Sequence, residues 1–300
     1  MSNVDDLVIH FEGDELFLMN IALMILMFGI ALDLKLQHFK AIAQMPRSIA
    51  VGLSSQWILL PLLTMGLILL TNLPDSMVLG LILVAACPGG NVSNFAVHIA
   101  GGNSALSISL TTISTLFAVI GTPLIFQSLA PFFVDSTLSG INLYIPLDQM
   151  ALTIGQLIVL PLAIGMGLNH FFPSLASKIT KPIRIISMIL FLIIVVAAIL
   201  GNLDNLFQYA HLAFVLVVIH NAMALLGGYS WATLWRLPVK DRRAIAIETG
   251  IQNSGLGLIL IFNFFDGLGG MALVAAGWGI WHLIAGGTLS AFWNQRPVFD

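Results

Sequence analysis

The sequence predicts an all-α membrane protein of about nine transmembrane helices, forming a single transmembrane domain over residues 1–300. Of its 300 residues, 58% are hydrophobic and only 8% are charged, whereas soluble globular proteins carry about 25% charged residues. The apolar runs are also long and continuous. Backbone polar groups find no partner in hydrocarbon, so spanning segments are helices or closed barrels, and barrel strands would show alternating polarity. Helices are therefore the predicted spans.

Nine stretches meet the criterion of about 20 predominantly apolar residues for a transmembrane helix. In chain order they lie near residues 16–33, 48–70, 77–100, 104–129, 149–168, 184–201, 211–234, 244–265 and 270–293. No linker rich in proline or charge separates them, so the chain is predicted to be one membrane domain.

The distribution of charge predicts the orientation of these spans. With nine spans, all 11 Lys and Arg residues fall in the loops of one side or in the C-terminal tail. Acidic residues occupy the opposite loops, at Asp75, Asp135, Asp148, Asp204 and Asp266. Basic loops mark the cytoplasmic side. We therefore expect a multi-pass protein of the cell (inner) membrane, with its N-terminus outside and its C-terminus in the cytoplasm.

Two of the predicted spans contain residues that interrupt helices. The third span contains Cys87-Pro88-Gly89-Gly90-Asn91, and the eighth contains the segment 248–255, Glu-Thr-Gly-Ile-Gln-Asn-Ser-Gly. Proline removes a backbone donor, so we expect the breaks to leave carbonyl and amide groups unpaired. Paired interruptions at corresponding positions of two halves are typical of inverted-repeat secondary transporters, whose binding site lies near the midplane. The halves hold four and five spans, which a missing first helix would explain.

Glu248 is the one acid inside a predicted span and away from its ends. A charged side chain at mid-span costs roughly 2.5–3.5 kcal/mol on insertion scales. No Lys or Arg falls at membrane depth, so a proton, a metal ion or a hydrogen-bond network must compensate the carboxylate. Nearby hydroxyls, amides and carbonyls favour a small hard cation. Gln252, four residues later, would share a helical face with Glu248 unless Gly250 unwinds the helix.

A second group of oxygen-bearing side chains follows the first interruption. Ser93 and Asn94 come directly after it, and Ser107 and Thr111 are spaced four residues apart on the next helix, which places them on one face. Any one of these residues could serve only to bond neighbouring helices. Their concentration beside a helix break makes cation binding a competing interpretation.

Three segments closely resemble the signature segments of the bile acid:sodium symporter family. They are ACPGGNVSN at 86–94, GGNSALSISLTTIST at 101–115 and IAIETGIQNSGL at 245–256, supported by MFGIALDLKLQHFK at 27–40 and IHNAMALLGG at 219–228. The resemblance runs from about residue 20 to 293 and is to family members with nine helices. It implies a core domain and a panel domain, with the two broken helices crossing in the core.

The resemblance also implies two sodium sites. The first would use Ser93, Asn94, Ser107, Thr111 and Glu248. The second would use Gln56, the side chains of Glu248 and Gln252, and the carbonyls of Thr249 and Ile251. Of these residues, Gln56 is the one that the chemistry of the sequence did not already indicate.

The predicted substrate contacts depart from the family pattern. Relatives commonly carry Thr where Asn91 stands, and some carry a His-Asn pair where this chain has His282-Leu283. The family includes carriers of pantothenate-like acids, keto acids and pyruvate, so a small carboxylate fits at least as well as a bile acid. We expect Asn91 and Asn253, at the starts of the half-helices, and His282 to contact the anion.

The sequence thus predicts a symporter that carries an organic anion with two co-transported sodium ions by alternating access. No catalytic residue, organic cofactor, nucleic acid or obligate protein partner is expected; the partners are the anion and the lipid bilayer. One alternative is a proton-coupled carrier or channel in which Glu248 titrates. Another is a membrane hydrolase using Ser93 or Ser254, although the sequence contains neither a nucleophile elbow nor an HExxH motif.

Overall fold

The computed structural model describes residues 4–9, 13–32, 44–135, 137–138, 141–142, 145–201, 203–296 and 298. Within these ranges the regular secondary structure is helical, apart from two short antiparallel strands, β1 (Thr137–Leu138) and β2 (Ile141–Asn142). A helix satisfies its own backbone polar groups, which is the requirement that a chain this apolar must meet in lipid. The all-α fold class is confirmed for the described residues.

The described helices are given in chain order. They are α1 (Gly13–Ala31), α2 (Pro46–Ser54), α3 (Leu60–Leu70), α4 (Asp75–Ala86), α5 (Val92–Ile99), α6 (Ser104–Leu129) and α7 (Leu147–Ile154). The second part of the chain continues with α8 (Leu160–Phe171), α9 (Pro173–Gly201), α10 (Leu203–Leu234), α11 (Val239–Gly250), α12 (Ser254–Phe264) and α13 (Gly269–Asn294). Two 3₁₀ turns lie at Val4–Asp6 and Ala130–Phe132.

In the part of the chain that the structure describes, five helical stretches are long and apolar enough to cross a membrane by themselves. They are Pro46–Leu70, Ser104–Phe132, Leu147–Phe171, Tyr209–Leu234 and Gly269–Asn294. Shorter apolar helices lie at Leu16–Ala31, Asp75–Ala86 and Ser254–Phe264. The predicted spans near 77–100 and 244–265 each contain two shorter helices instead of one, because the chain is interrupted at 87–91 and 251–253. The count of nine spans stays a prediction.

Two long helical stretches contain a turn of π-helix just before a proline. The segment Ser55–Leu59 joins α2 to α3, and Gly155–Val159 joins α7 to α8. Pro61 and Pro161 follow within two residues. Because proline has no N–H, it cannot complete the regular bond to the carbonyl four residues earlier, which lies inside the π-turn in both cases. Such turns often occur at functional sites, and Gln56 lies in the first one.

The interrupted helices lie at the centre of the bundle. Every residue of α4 from Ser76 to Ala86 is buried, and so is the last half of α11, from Ala244 to Gly250. The outer helices carry exposed apolar side chains such as Leu62, Leu69 and Leu226, as expected for surfaces that face lipid. Polar groups on the central helices are therefore shielded from bulk water and must find partners within the protein.

Hydrogen bonds fix the start of α11 against its neighbours. The carboxylate of Asp241 accepts from Ser48 Oγ at 2.6 Å and from Asn103 Nδ2 at 2.8 Å. The guanidinium of Arg243 donates to the carbonyls of Ala100 at 2.7 Å and Arg296 at 2.7 Å. These contacts join α11 to α2, α6 and the ends of α5 and α13, so the residues one to two turns later are held in a defined place.

Candidate functional site

The two chain interruptions lie against each other. Helix α4 ends at Ala86 and helix α11 ends at Gly250, and the extended residues that follow form an antiparallel bridge between Gly89 and Gln252. Within the bridge, Gly90 N donates to the Ile251 carbonyl and Asn253 N donates to the Pro88 carbonyl, both at 2.8 Å. The expectation that the breaks leave these groups unpaired is wrong, because the two extended segments satisfy each other.

Glycine is required where the two breaks meet. A Cβ atom on Gly89 would lie 2.8 Å from Gln56 Nε2 and 3.0 Å from Glu248 Oε2. A Cβ atom on Gly90 would lie 2.9 Å from the carbonyl oxygen of Gln252. The absence of side chains at these two positions lets the backbone of the first break approach both the second break and the carboxylate.

The carboxylate of Glu248, 0% exposed, lies at this crossing. Ser93 Oγ and Ser107 Oγ each lie 2.5 Å from its Oε1, and Thr111 Oγ1 lies 2.9 Å from its Oε2. Asn94 Oδ1 accepts from Ser107 Oγ at 2.8 Å and lies 3.3 Å from Thr111 Oγ1. We call Ser93, Asn94, Ser107 and Thr111 the hydroxyl cluster. The structure therefore brings together the side chains of the first predicted sodium site.

Three primary amides surround the backbone at the end of α11, and we call Gln56, Asn221 and Gln252 the amide cluster. Gln56 Nε2 donates to the Glu248 carbonyl at 3.1 Å and lies 3.5 Å from Glu248 Oε2. Gln252 Nε2 donates to the Thr249 carbonyl at 2.9 Å. Asn221 Nδ2 donates to the Gly250 carbonyl at 2.7 Å. The last three carbonyls of α11 thus each accept a hydrogen bond from a different buried amide.

Gln56 and Gln252, predicted for the second sodium site, both lie beside Glu248 and its neighbours. Gln252 reaches this place from the extended segment after α11, so the expected helical face shared with Glu248 is not formed. The two carbonyls predicted as ligands already accept hydrogen bonds, that of Thr249 from Gln252 and that of Ile251 from Gly90. Each carbonyl oxygen keeps a second lone pair for another partner.

Two residues of this region were not found from the sequence. Asn221 lies in α10, and Ser55 Oγ lies 2.7 Å from Thr249 Oγ1. Both belong to helices that are distant from Glu248 along the chain, so no spacing rule connects them to it. The one available signal was the presence of an amide within an otherwise apolar span.

The three predicted anion contacts have different environments. Asn91 is half-buried at the N-cap of α5 and makes no side-chain capping bond. Asn253 caps α12, and its Oδ1 accepts from Leu256 N at 3.1 Å. His282 is 5% exposed, and its Nδ1 has no partner among the described residues.

Helix α13 turns the face of His282 toward the crossing. Gly279 and Gly286, three residues before and four residues after it, share its side of the helix. A Cβ atom on Gly279 would meet Ser254 Oγ at 2.6 Å, and one on Gly286 would meet Ile251 Cδ1 at 2.8 Å. Asn91 thus lies at the end of the first break, Asn253 at the end of the second, and His282 on the helix face that packs against Ile251 and Ser254.

No charged group is among the hydrogen-bond partners that the structure shows for Glu248. Its carboxylate is opposed by hydroxyl and amide dipoles, which stabilise an ionised oxygen less than a full positive charge does. The site consists of oxygen-bearing side chains and one carboxylate, a donor set suited to a hard cation.

A family model and several known proteins match this chain. Residues 20–209 match the model of the Sodium Bile acid symporter family. The chain is 34% identical over 91% of its length to "Uncharacterized sodium-dependent transporter YocS" of Bacillus subtilis (strain 168), covering 81% of that protein. It is 31% identical over 92% of its length to "Probable sodium/metabolite cotransporter BASS1, chloroplastic" of Arabidopsis thaliana, covering 66% of it. It is also 31% identical over 79% of its length to the human "Ileal sodium/bile acid cotransporter", covering 67% of it.

Proposed function

The chain belongs to the sodium bile acid symporter family, and from this premise we propose that it is a symporter that couples the entry of sodium to the entry of an organic anion. Its relatives carry the names of sodium-dependent transporters and cotransporters, and its long apolar helices are those of a multi-pass membrane protein. We further propose which residues bind the coupling ion, that two ions are carried and that the substrate is an organic anion.

One observation carries the proposal: a fully buried carboxylate at the crossing of two broken helices is surrounded by uncharged oxygen-bearing side chains. A carboxylate at membrane depth is costly unless a cation or a proton neutralises it. The hydroxyl cluster places hydroxyl oxygens at the Glu248 carboxylate, and the amide cluster donates from its nitrogens to the carbonyls beside it. One sodium ion at each cluster would neutralise Glu248 and leave one positive charge in excess.

That excess charge suits an anion beside the crossing. Helices α5 and α12 both begin next to it, and the N-terminus of a helix carries a partial positive charge and free amide groups. Asn91, Asn253 and His282 would contact the anion from these starts and from α13. Leu283 follows His282 where some relatives carry Asn, so a small carboxylate fits at least as well as a bile-acid-like substrate.

The energetics require the sodium gradient as well as the membrane potential. Each elementary charge that crosses a potential of 100 mV gains about 2.3 kcal/mol. Two sodium ions with a monoanion carry one net charge, so voltage contributes only about that amount. In this mechanism sodium binding orders the crossing, the anion then binds, and a core domain moves against a panel domain. We place the protein in the inner membrane with nine spans, its N-terminus outside and its C-terminus inside.

Replacement of Glu248 tests the proposed function. We expect Glu248→Ala to abolish sodium-dependent uptake while the protein still folds, because both clusters lose the charge that makes a cation favourable there. Uptake of radiolabelled carboxylates into proteoliposomes, with sodium or with choline outside, measures the effect. Ser109→Ala is the matched control, since the Ser109 hydroxyl is buried on the same helix as Ser107 but bonds only to its own turn, at the Ala105 carbonyl.

Normal sodium-dependent uptake by the Glu248 variant would end the assignment of the sodium sites. Uptake by the wild-type protein that follows pH and ignores the replacement of sodium by choline would instead select a proton-coupled carrier. A thermal-shift screen of carboxylates identifies the substrate class, because a co-transported anion stabilises the protein more when sodium is present.

A further inference from the structure

Asn221 is the one member of the amide cluster that is not among the proposed sodium ligands. It lies in α10 and is 1% exposed. Its Nδ2 donates at 2.7 Å to the carbonyl of Gly250, the last residue of α11. One helical turn later in α10, the side chain of Leu225 packs where a Cβ atom of Gly250 would stand. Helix α10 therefore holds Gly250 through both a hydrogen bond and direct backbone packing.

The chemistry of the acceptor fixes the orientation of this amide. A carbonyl oxygen can only accept, so the nitrogen of Asn221 and not its oxygen must face Gly250. The same argument applies to Gln56 against the Glu248 carbonyl and to Gln252 against the Thr249 carbonyl. The oxygens of all three amides are buried and have no hydrogen-bond partner among the described residues. Buried acceptors without a partner are uncommon and costly, and three of them belong to side chains that bond the last turn of α11.

A hydrogen bond from Asn221 has its largest effect on the backbone conformation at Gly250. Glycine has the widest choice of backbone conformations, and here it is followed directly by the extended residue Ile251. The peptide plane of Gly250 determines how the chain enters the second break. The carbonyls of Thr249 and Ile251, on either side of it, are the two main-chain ligands assigned to the second sodium ion. A loose Gly250 would let both carbonyls turn away.

We propose that Asn221 is a positioning residue for sodium: its amide holds the Gly250 carbonyl and so aims the neighbouring main-chain oxygens at the ion of the amide cluster. This inference rests on the proposed function, because it concerns the affinity of one of its two ions. Helix α10 thereby affects the affinity for sodium, although it supplies none of the ligands assigned above.

The residue before Asn221 offers a matched control. His220 is also buried in α10, but its Nε2 lies 2.7 Å from Thr64 Oγ1 of α3 and makes no bond to α11. Asn221→Ala and His220→Ala each remove one buried side-chain hydrogen bond from the same turn of the same helix. General weakening of the core affects both variants, whereas a change in sodium affinity is expected from the Asn221 variant alone.

The experiment measures the sodium concentration that gives half of the maximal increase in melting temperature, with choline keeping the ionic strength constant. We expect Asn221→Ala to raise this concentration about tenfold. Without the hydrogen bond from Asn221, the Gly250 carbonyl is no longer fixed and the neighbouring main-chain ligands bind sodium more weakly. His220→Ala should lower the melting temperature in choline without changing the half-saturating sodium concentration. Asn221→Ser, which keeps a shorter donor, should give an intermediate rise and serves if the alanine variant does not fold.

Two results would overturn the inference. One is a folded Asn221 variant that keeps the wild-type sodium concentration dependence, and the other is an equal shift in His220→Ala. If the wild-type protein itself shows no sodium response, the proposed function fails and the role of Asn221 fails with it. If the wild-type protein responds and the Asn221 variants respond identically, only the role of Asn221 is lost.

Discussion

The hydroxyl cluster and the amide cluster both contact the last turn of α11, yet their hydrogen bonds are satisfied to different extents. In the hydroxyl cluster, the protons of Ser93, Ser107 and Thr111 can all point to the Glu248 carboxylate. In the amide cluster, the nitrogens have carbonyl partners but the oxygens have none among the described residues. The carboxylate of Glu248 therefore has three hydroxyl donors without an ion, which leaves Asn94 Oδ1 without the proton of Ser107 or Thr111. The amide cluster leaves three buried oxygens without a partner among the described residues.

This difference has a consequence for sodium binding. An ion that enters the hydroxyl cluster must compete with three hydroxyl protons for the carboxylate. Each hydroxyl has a single proton, which must then turn to another acceptor. An ion that enters the amide cluster meets buried oxygens that have no hydrogen-bond partner among the described residues. We infer that the amide cluster carries the larger share of the sodium dependence, and the following substitutions test that ranking.

The largest effect is expected in the amide cluster, from Gln56→Leu. This change removes one unpartnered oxygen and leaves the Glu248 carbonyl without its donor, so the half-saturating sodium concentration should rise about tenfold or more. Sodium-dependent melting curves measure it. Gln156→Leu is the control, because Gln156 is also the second residue of a π-turn before a proline but is exposed. Equal shifts in the two variants would show that the effect does not come from the site.

A smaller effect is expected in the hydroxyl cluster, from Thr111→Val. The carboxylate keeps Ser93 and Ser107, so the half-saturating sodium concentration should rise only about threefold to fivefold. Thr112→Val provides the comparison, since the neighbouring hydroxyl is also buried but bonds to the Ile108 carbonyl of its own helix. A larger effect from Thr111→Val than from Gln56→Leu would reverse the ranking of the two clusters.

The smallest effect is expected from Asn94→Ala. The side chain of Asn94 is half-buried, and a water molecule can take the place of its oxygen beside Ser107 and Thr111. The half-saturating sodium concentration should therefore change about twofold or less.

Asn91→Ala on the same half-helix should leave the sodium dependence unchanged and raise the anion concentration needed for half-maximal uptake. A strong sodium effect from Asn91 would place that residue in the cation site instead.

Much of the architecture could be predicted because it follows from local rules. Continuous apolar stretches predict helices in lipid, and the residues from Cys87 to Asn91 predict a break because of Pro88 and two glycines. Glu248 stands out as a buried acid without a basic partner. The positions of Ser107 and Thr111 on one face follow from the helical repeat. Gln56 needed the family resemblance, because nothing near it in the sequence distinguishes it from an ordinary polar residue.

Other features depended on contacts between distant parts of the chain. The mutual pairing of the breaks, through Gly90 with Ile251 and Asn253 with Pro88, joins segments from opposite halves. The expectation of free carbonyls failed for this reason. Asn221 was missed because its partner, the Gly250 carbonyl, belongs to another helix.

The sequence by itself determined that this chain is a helical membrane protein, where two of its helices break and which carboxylate needs compensation, because composition, proline, glycine and charge act within a few residues. Only the tertiary structure decided which polar atoms meet at that carboxylate and which of them remain without a partner. Hydrogen-bond satisfaction depends on distances of a few tenths of an ångström between helices that are far apart in the sequence, and no local pattern specifies such distances.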